Sequence, residues 1–125
     1  MSTLITPKLI ASDKRGKFIS LVNGKFHNVS IITSNKNTIR SNHYHLKDSH
    51  YIYVISGEMI YYYKKLNKGK KIYKKKIKEG QFIFTPSLEI HTTVFSKKTQ
   101  IIVISKYKRS KKFYEKDTVR YNLDV

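Results

Sequence analysis

The chain of 125 residues contains no cysteine and no tryptophan, and it has only two prolines and five glycines. Without cysteine there is no disulfide, no thiol nucleophile and no cysteine zinc site, so a bound metal would need histidine or carboxylate ligands. No apolar run is long enough to cross a membrane, since the longest aliphatic stretch is Ile101 to Ile104. The first residues lack the basic-then-apolar pattern of a secretion signal, and we therefore expect a soluble cytoplasmic protein.

Acidic residues are also scarce: 26 Lys and Arg stand against 8 Asp and Glu, which gives a net charge of +18. A surface of this charge attracts polyanions, so nucleic acid is the first partner to consider. The lysines, however, concentrate in 64–78, 97–98 and 106–112, which are predicted hairpin loops and a tail, and no nucleic-acid-binding motif accompanies them. We interpret the charge as a solvated coat that can also steer a small anionic substrate, and nucleic acid is not the expected partner.

The length corresponds to one domain, 1–125, and 39% apolar residues suffice for one core. Nearly every segment alternates apolar and polar residues or is rich in β-formers, and turn sequences such as Ser56-Gly57 separate these segments. The predicted strands are 17–21, 27–33, 38–45, 51–55, 58–63, 70–76, 82–85, 92–95 and 100–105. Short strands at this spacing predict an all-β sandwich or barrel, with one helical turn in 110–117 and a short C-terminal tail, 107–125.

Three of the five histidines, His43, His45 and His50, fall within a short stretch. Residues two apart in a strand point to the same face, so His43 and His45 project together. An antiparallel next strand that begins at His50 would place this third imidazole on the same side, and His91 starts another strand. Three or four histidines from adjacent strands form a site suited to Fe, Ni, Cu, Zn or Mn, with open positions for water or substrate.

Two spaced motifs resemble those of the cupin superfamily. The first cupin motif reads Gly, five residues, His-X-His, three or four residues, Glu, six residues, Gly, and residues 37–57 supply Asn37, His43-Tyr44-His45, His50 and Gly57 at these spacings. The second motif, Gly, five residues, Pro-X-Gly, two residues, His, corresponds to residues 80–95, with Gly80, Pro86 and His91 in place. The resemblance implies a small single-domain jelly-roll β-barrel.

The departures from these motifs bear on the site. Asn37 replaces a glycine, which is tolerable because Asn accepts left-handed backbone angles. Leu88 replaces another glycine, and Phe95 occupies a usual Asn position. His50 stands where the cupin ligand is Glu, so a metal held by His43, His45, His50 and His91 would have neutral ligands only and would keep its full charge toward water or substrate.

Further strings are similar to sugar-nucleotide enzymes of the same fold. Residues 13–18, Asp-Lys-Arg-Gly-Lys-Phe, resemble the opening of dTDP-4-dehydrorhamnose 3,5-epimerases. Residues 40–45, Arg-Ser-Asn-His-Tyr-His, resemble a segment of dTDP-sugar 3,4-ketoisomerases and of the cupin half of capsular-polysaccharide epimerase/reductases, and residues 114–121 resemble the ketoisomerase tail. The resemblance implies an isomerase or epimerase that acts on a 4-keto-6-deoxy sugar nucleotide for surface polysaccharide.

In that reading the site works without metal. His43 removes the proton next to the sugar ketone, and His45 or a tyrosine returns one. Tyr121 is the tyrosine assigned to this role, with Tyr107 and Tyr114 as further candidates. Arg15 and Arg40 bind the diphosphate oxygens of the nucleotide sugar. His43 cannot be both metal ligand and base, because a lone pair given to a metal is not available to take a proton.

Two other functions remain open. One is a metal-dependent dioxygenase or lyase with Fe, Ni, Mn or Zn at His43, His45, His50 and His91, and the other is a non-catalytic cupin that binds a metal or ligand.

An oligomer is expected for each of these functions. Tyr51, Tyr53 and Ile55 share the strand face opposite His50, and an outward stripe of this kind predicts a homodimer.

Overall fold

The computed structural model describes residues 1–125 and is built almost wholly from β-strands. The strands are β1 (Thr3–Ile5), β2 (Lys8–Asp13), β3 (Gly16–Ser20), β4 (Asn28–Ser34), β5 (Thr38–His45), β6 (His50–Ser56), β7 (Glu58–Lys65), β8 (Tyr73–Lys78), β9 (Phe82–Thr85), β10 (Glu89–Phe95), β11 (Thr99–Ser105) and β12 (Thr118–Arg120). One helix, α1, spans Lys111–Asp117 and begins after Ser110, whose hydroxyl accepts from the Phe113 amide. No helix is long and apolar enough to span a membrane.

The strands form two five-stranded antiparallel sheets. The first sheet has the order β1-β9-β6-β11-β4, and the second has the order β12-β5-β10-β7-β8. The remaining strands, β2 and β3, pair only with each other and form a separate hairpin. The sheets do not close into a barrel, but their crossing order agrees with the jelly roll, and the all-β fold expected from the sequence is confirmed.

The core lies between the two sheets, because one face of each central strand is apolar. In β6 and β7 buried residues alternate with partly exposed ones, as the period of a strand requires. The buried cluster consists of Ile52, Val54, Met59, Tyr61, Tyr63, Ile77, Ile83, Phe95, Ile101 and Val103. The opposite face of β6 carries Tyr51, Tyr53 and Ile55, which are only partly buried, so the expected outward stripe is present.

The structure differs from the sequence expectations at three places. The short strands β1, β2 and β12 were not predicted, since their pairing partners lie far along the chain or in an isolated hairpin. Strand β8 spans Tyr73–Lys78 where the sequence predicted a strand at 70–76, so Lys74, Lys76 and Lys78 lie on this strand, although the lysine-rich stretch 64–78 was also expected to form hairpin loops. His50 does begin a strand, but β6 belongs to the first sheet, so His50 faces β5 across the sandwich and does not pair beside it.

Candidate functional site

A cavity of about 360 Å³ opens between the sheets, and all four motif histidines line it. His43, His45, His50 and His91 are each at most 5% exposed. The ring centroid of His43 lies 4.7 Å from that of His45 and 4.8 Å from that of His91. His50 completes the group at 5.7 Å from His45 and 5.4 Å from His91. The convergence expected from the spacing is therefore present in the fold.

Strand pairing explains how the histidines meet. His91 on β10 is the direct antiparallel partner of His43 on β5, and His45 follows two residues later on the same face. His50 comes from the facing sheet, where it pairs with Ser105 and Thr85. One nitrogen each of His43, His45 and His91 lies within 4.8 Å of the others.

The four imidazoles are held in their neutral form. Burial is the main cause, because the charged ring loses its hydration, and neighbouring imidazoles and arginines add repulsion. These effects lower the pKa of His43 to about 2, of His45 to about 3 and of His91 to about 4. They also lower the pKa of His50 well below its ordinary value.

The positive charge of the cavity comes instead from three arginines. Arg40 lines the cavity, and its Nε donates to the Ser34 hydroxyl at 2.7 Å while its Nη2 donates to the Thr33 carbonyl at 3.0 Å. Arg109 and Arg120 also line the cavity. Three fixed cations among neutral imidazoles make the cavity a site for an anionic or oxygen-rich ligand.

Arg109 is braced by the loop that precedes β6. Its Nη2 lies 3.5 Å from Oδ2 of Asp48 and 3.3 Å from Nδ1 of His50, and its guanidinium stands 5.2 Å from the ring centre of Tyr114. The Nε of Arg109 is buried and has no hydrogen-bond partner. Burial raises the pKa of the Asp48 carboxyl, while a backbone bond from Tyr107 and the Arg109 charge oppose that shift.

The C-terminal segment closes the cavity around His45. Asp117, the last residue of α1, accepts from the backbone amides of Lys47 and Asp48 at 2.8 and 3.0 Å. Its Oδ2 lies 3.7 Å from His45 Nδ1, and the Thr118 hydroxyl lies 3.4 Å from the same nitrogen. The segment 107–125, expected as a short C-terminal tail, thus contributes side chains to the cavity wall.

Two residues expected at the site lie elsewhere in this chain. Arg15 is at the turn of the β2–β3 hairpin, where it is bonded to Asp13 and its side chain is 85% exposed. Tyr121 is 42% exposed, outside the cavity, with the ammonium group of Lys64 at 5.9 Å from its ring centre. Its backbone amide donates to the Asn42 carbonyl at 2.9 Å. Tyr114 is the tyrosine that lines the cavity, with its ring centre 5.6 Å from that of His45 and 6.3 Å from that of His43.

Arg109, Asp117 and Arg120 were not identified from the sequence as site residues, whereas Tyr114 was one of the three tyrosines considered for the acid. For Tyr114, Asp117 and Arg120 a signal did exist, because residues 114–121 resemble the ketoisomerase tail. The sequence did not show which residues of this segment would face the cavity. Arg120 pairs with His43 and Thr118 pairs with His45, so these two residues share the face of the histidines.

The motif positions that depart from glycine keep the backbone that glycine would provide. Asn37 has φ 64° and Leu88 has φ 59°, both in the left-handed region. The Leu88 amide donates to the His45 carbonyl at 2.8 Å, which ties the second motif to the first. Gly57 is required as glycine, because its φ is 89° and a Cβ would lie 2.5 Å from the Lys98 carbonyl oxygen.

Comparison with known proteins agrees with this architecture. A family model described as the polysaccharide biosynthesis C-terminal domain matches residues 11–119. No curated protein sequence matches the chain significantly.

Solved structures of similar fold come from enzymes that act on nucleotide sugars. The sugar 3,4-ketoisomerase QdtA of Thermoanaerobacterium thermosaccharolyticum in complex with TDP has a TM-score of 0.77 and 20% identity, covering 95% of this chain and 87% of that chain. The TDP-fucose-3,4-ketoisomerase WlaRA of Campylobacter jejuni has a TM-score of 0.76 and 16% identity, covering 94% and 87%. The dTDP-4-dehydrorhamnose 3,5-epimerase of Sulfolobus tokodaii has a TM-score of 0.75 and 18% identity, covering 94% and 74%. The fold that the sequence motifs implied is thereby confirmed.

Proposed function

Because this chain belongs to the polysaccharide biosynthesis C-terminal domain family, we propose that it is an isomerase or epimerase of a 4-keto-6-deoxy sugar nucleotide. The observation that carries the proposal is a buried neutral imidazole, His45, beside a carboxylate and facing a cavity lined by arginines. A cavity of about 360 Å³ has the size of a small-molecule site. The complexes of similar enzymes with TDP support a nucleotide ligand.

His45 is the base that the geometry supports best, in place of His43. The Nε2 of His45 is buried and has no partner, while its Nδ1 faces Thr118 and Asp117. Its lowered pKa keeps the lone pair available before the substrate binds. When the ring takes a proton, the Asp117 carboxylate and the negative diphosphate of the substrate stabilise the imidazolium.

The reaction begins with the removal of one proton from carbon. His45 takes the hydrogen on the carbon next to the ketone, the C–H electron pair forms a carbon–carbon double bond, and the ketone oxygen becomes an enolate. For the isomer, a proton returns to the former ketone carbon and the neighbouring hydroxyl proton passes to the enolate oxygen, so that ketone and hydroxyl exchange places. For the epimer, an acid on the other side of the ring protonates the same carbon, the ketone re-forms, and His45 releases its proton to water. Tyr114 lines the cavity with its ring centre 5.6 Å from that of His45, and it is the candidate acid in place of Tyr121.

The arginines provide the anion site. Arg40 is held by Ser34 and Thr33 at the cavity wall, so its planar fork is oriented before a diphosphate arrives. Arg15 would reach a cavity only from the hairpin of a second copy, since in its own chain it lies at an exposed turn.

The test uses TDP-4-keto-6-deoxyglucose with the purified protein in deuterated water, followed by proton NMR. We expect exchange of the hydrogen next to the ketone and formation of an isomer or epimer. His45→Asn should slow the exchange about 10²- to 10⁴-fold, as loss of a general base does. His27→Asn is the matched control, because His27 is exposed outside the cavity and should keep full activity. Absence of exchange with the unchanged protein, or full exchange in His45→Asn, would overturn the proposal.

The proposed enzyme is a homodimer. The outer face of the first sheet, defined by Val29, Ile31, Tyr51, Tyr53 and Ile102, is apolar, and Val29 and Ile31 are 67% and 66% exposed. The β2–β3 hairpin adds exposed Leu9, Ile10, Phe18 and Ile19, and it pairs with no other strand of its own chain. A two-stranded hairpin is marginal alone, so a second copy is the natural partner for both features.

Sedimentation velocity tests the dimer. Ile31→Asp and Tyr51→Asp each place a charge in the apolar outer face and should shift the protein toward monomer, with the larger effect at the more exposed Ile31. Lys97→Asp, on a loop of the same sandwich, is the control and should leave the sedimentation coefficient unchanged. A monomeric unchanged protein, or dimers in both apolar-face variants, would reject this interface.

A further inference from the structure

The four cavity histidines differ in what touches their Nδ1 atoms. Nη1 of Arg120 lies 3.4 Å from Nδ1 of His43, and Nη2 of Arg109 lies 3.3 Å from Nδ1 of His50. A guanidinium group only donates hydrogen bonds, so both Nδ1 atoms must accept. A neutral imidazole that accepts at Nδ1 carries its hydrogen on Nε2, which makes His43 and His50 donors on the opposite edge of the ring.

His45 and His91 have the opposite arrangement. Nδ1 of His91 lies 3.0 Å from the Glu89 carbonyl oxygen, which can only accept. The Thr118 hydroxyl gives its one hydrogen to the Tyr114 carbonyl at 2.5 Å, so toward His45 Nδ1 it too must accept. Both rings therefore carry hydrogen on Nδ1 and a bare lone pair on Nε2.

We propose that Arg109 and Arg120 are positioning residues that hold His50 and His43 as Nε2–H donors, so that two donors and two lone pairs converge on one cavity. Burial keeps all four rings neutral, as their lowered pKa values require, and a neutral ring must choose between the two tautomers. Asp48 supports the arrangement by holding Arg109 at 3.5 Å.

The same contacts do not fit the transition metal that the cupin resemblance implies. A metal-bound imidazole offers a bare Nε2 and donates its Nδ1 hydrogen to a carbonyl or carboxylate. His45 and His91 meet that requirement, but His43 and His50 have a cationic arginine where the acceptor should be. Two fixed guanidinium charges in the cavity also repel a divalent cation. The ligand set of four histidines expected from the sequence is therefore not suited to a metal.

The arrangement does suit an α-hydroxyketone, and this step rests on the proposed function. The carbonyl oxygen of such a fragment accepts from the donor pair, His43 and His50. The lone pairs of His45 and His91 can take the hydrogens on the neighbouring carbon and its hydroxyl. The two Nε2–H donors and the two Nε2 lone pairs therefore match an enediol intermediate. In such an intermediate one proton moves between the two adjacent carbon atoms and another moves between their oxygen atoms.

Nitrogen-15 NMR of the histidine rings at neutral pH reads the tautomers directly in the full chain without substrate. We expect His43 and His50 with hydrogen on Nε2, and His45 and His91 with hydrogen on Nδ1. Arg109→Met should release His50 and Arg120→Met should release His43 into a tautomer mixture, while Arg109→Lys should restore the donor and the Nε2–H form. Arg40→Met is the matched control, since Arg40 lines the cavity but contacts no histidine.

Titration with Co²⁺ alone gives a second readout. The Arg109→Met/Arg120→Met double variant should bind Co²⁺ roughly 10- to 100-fold more tightly than the unchanged protein. Nδ1–H on His43 or His50 in the unchanged protein, or tight Co²⁺ binding by it, would overturn the inference even where a variant fails to fold. The NMR pattern needs no turnover, so a missing isomerase activity would reject the proposed function and leave this inference standing.

Discussion

The protein carries positive charge in two regions that are built differently. In the cavity, Arg40, Arg109 and Arg120 each hydrogen-bond a side chain or carbonyl that fixes the guanidinium. On the outer face of the second sheet, Lys74, Lys76 and Lys78 project from one edge strand into solvent. The antiparallel partners of these lysines are Tyr62, Ile60 and Glu58, so the lysine face contains a single carboxylate.

This difference indicates that the cavity arginines serve to bind an anion, whereas the lysines of β8 serve to keep the protein soluble. A guanidinium that is already held in place loses little freedom when it binds an anion, whereas a solvated ammonium group on a flexible stem must be ordered and dehydrated first. The Lys76–Glu58 pair at 3.4 Å lies at the surface, with Lys76 exposed and Glu58 partly buried, and surface ion pairs of this kind contribute little to stability. The three cavity arginines, Arg40, Arg109 and Arg120, are therefore more informative about function than the net charge of +18.

The largest expected difference between the two regions is in how their titratable groups change the free energy of unfolding at acidic pH. The folded-state pKa values of the four cavity histidines lie below the unfolded value near 6.5, so the unfolded chain binds more protons below that pH. Stability is then fully present above pH 6.5 and falls as the pH decreases, and at pH 5 the loss is about 2 kcal/mol for each of His43, His45 and His91. The raised pKa values of Asp48 and Glu89 act in the opposite direction, but they are two groups against four.

Urea unfolding near pH 7.5 and pH 5 measures this loss. The midpoint should drop steeply for the unchanged protein and less for His50→Asn, which has one buried imidazole fewer. His27→Asn should keep the full drop, because His27 lies outside the cavity. A midpoint that is the same at both pH values would mean that the cavity does not hold its histidines neutral, and the comparison between the two regions would fail.

The parts of the site within one or two neighbouring strands could be predicted from the sequence. His43 and His45 follow from the period of a strand, and His91 follows from the spacing of the second motif. His50 was correctly included, but its sheet was not, because a short turn between strands leaves open whether they pair or cross to the facing sheet. The alternation of apolar and polar residues predicts which face of a strand is buried, but it does not predict which strand is its hydrogen-bonded neighbour.

The parts contributed by the C-terminal segment could not be predicted in the same way. Strand β12 has three residues, and only its pairing with β5 places Arg120 beside His43. Tyr114 and Asp117 depend on where α1 docks, which no local pattern encodes. Arg109 looked like one more charge of a basic tail, and its role depends on the buried carboxylate of Asp48, far away along the chain.

Replacing one cation in each region allows their contributions to the affinity for TDP to be compared directly. Arg40→Met removes a fixed guanidinium from the cavity and should weaken TDP binding by roughly 1.5–3 kcal/mol, the value of a hydrogen bond to a charged group. Lys76→Met removes the same charge from the lysine face and should change the affinity by less than about twofold. Calorimetric titration with TDP measures both variants. Equal losses in the two would show that the nucleotide responds to total charge and not to the arginines.

The smallest effect should belong to the lysine face as a whole. Lys74→Gln, Lys76→Gln and Lys78→Gln together lower the net charge from +18 to +15 and leave every cavity contact in place. Stopped-flow association with TDP should slow by roughly threefold or less in about 10 mM salt and should match the unchanged protein at about 150 mM, where the Debye length is near 8 Å. The dissociation rate should stay the same, because the lysines steer the anion without touching it. A loss that persists at high salt would instead place these lysines in contact with the ligand, and the division between binding and solubilising charge would no longer hold.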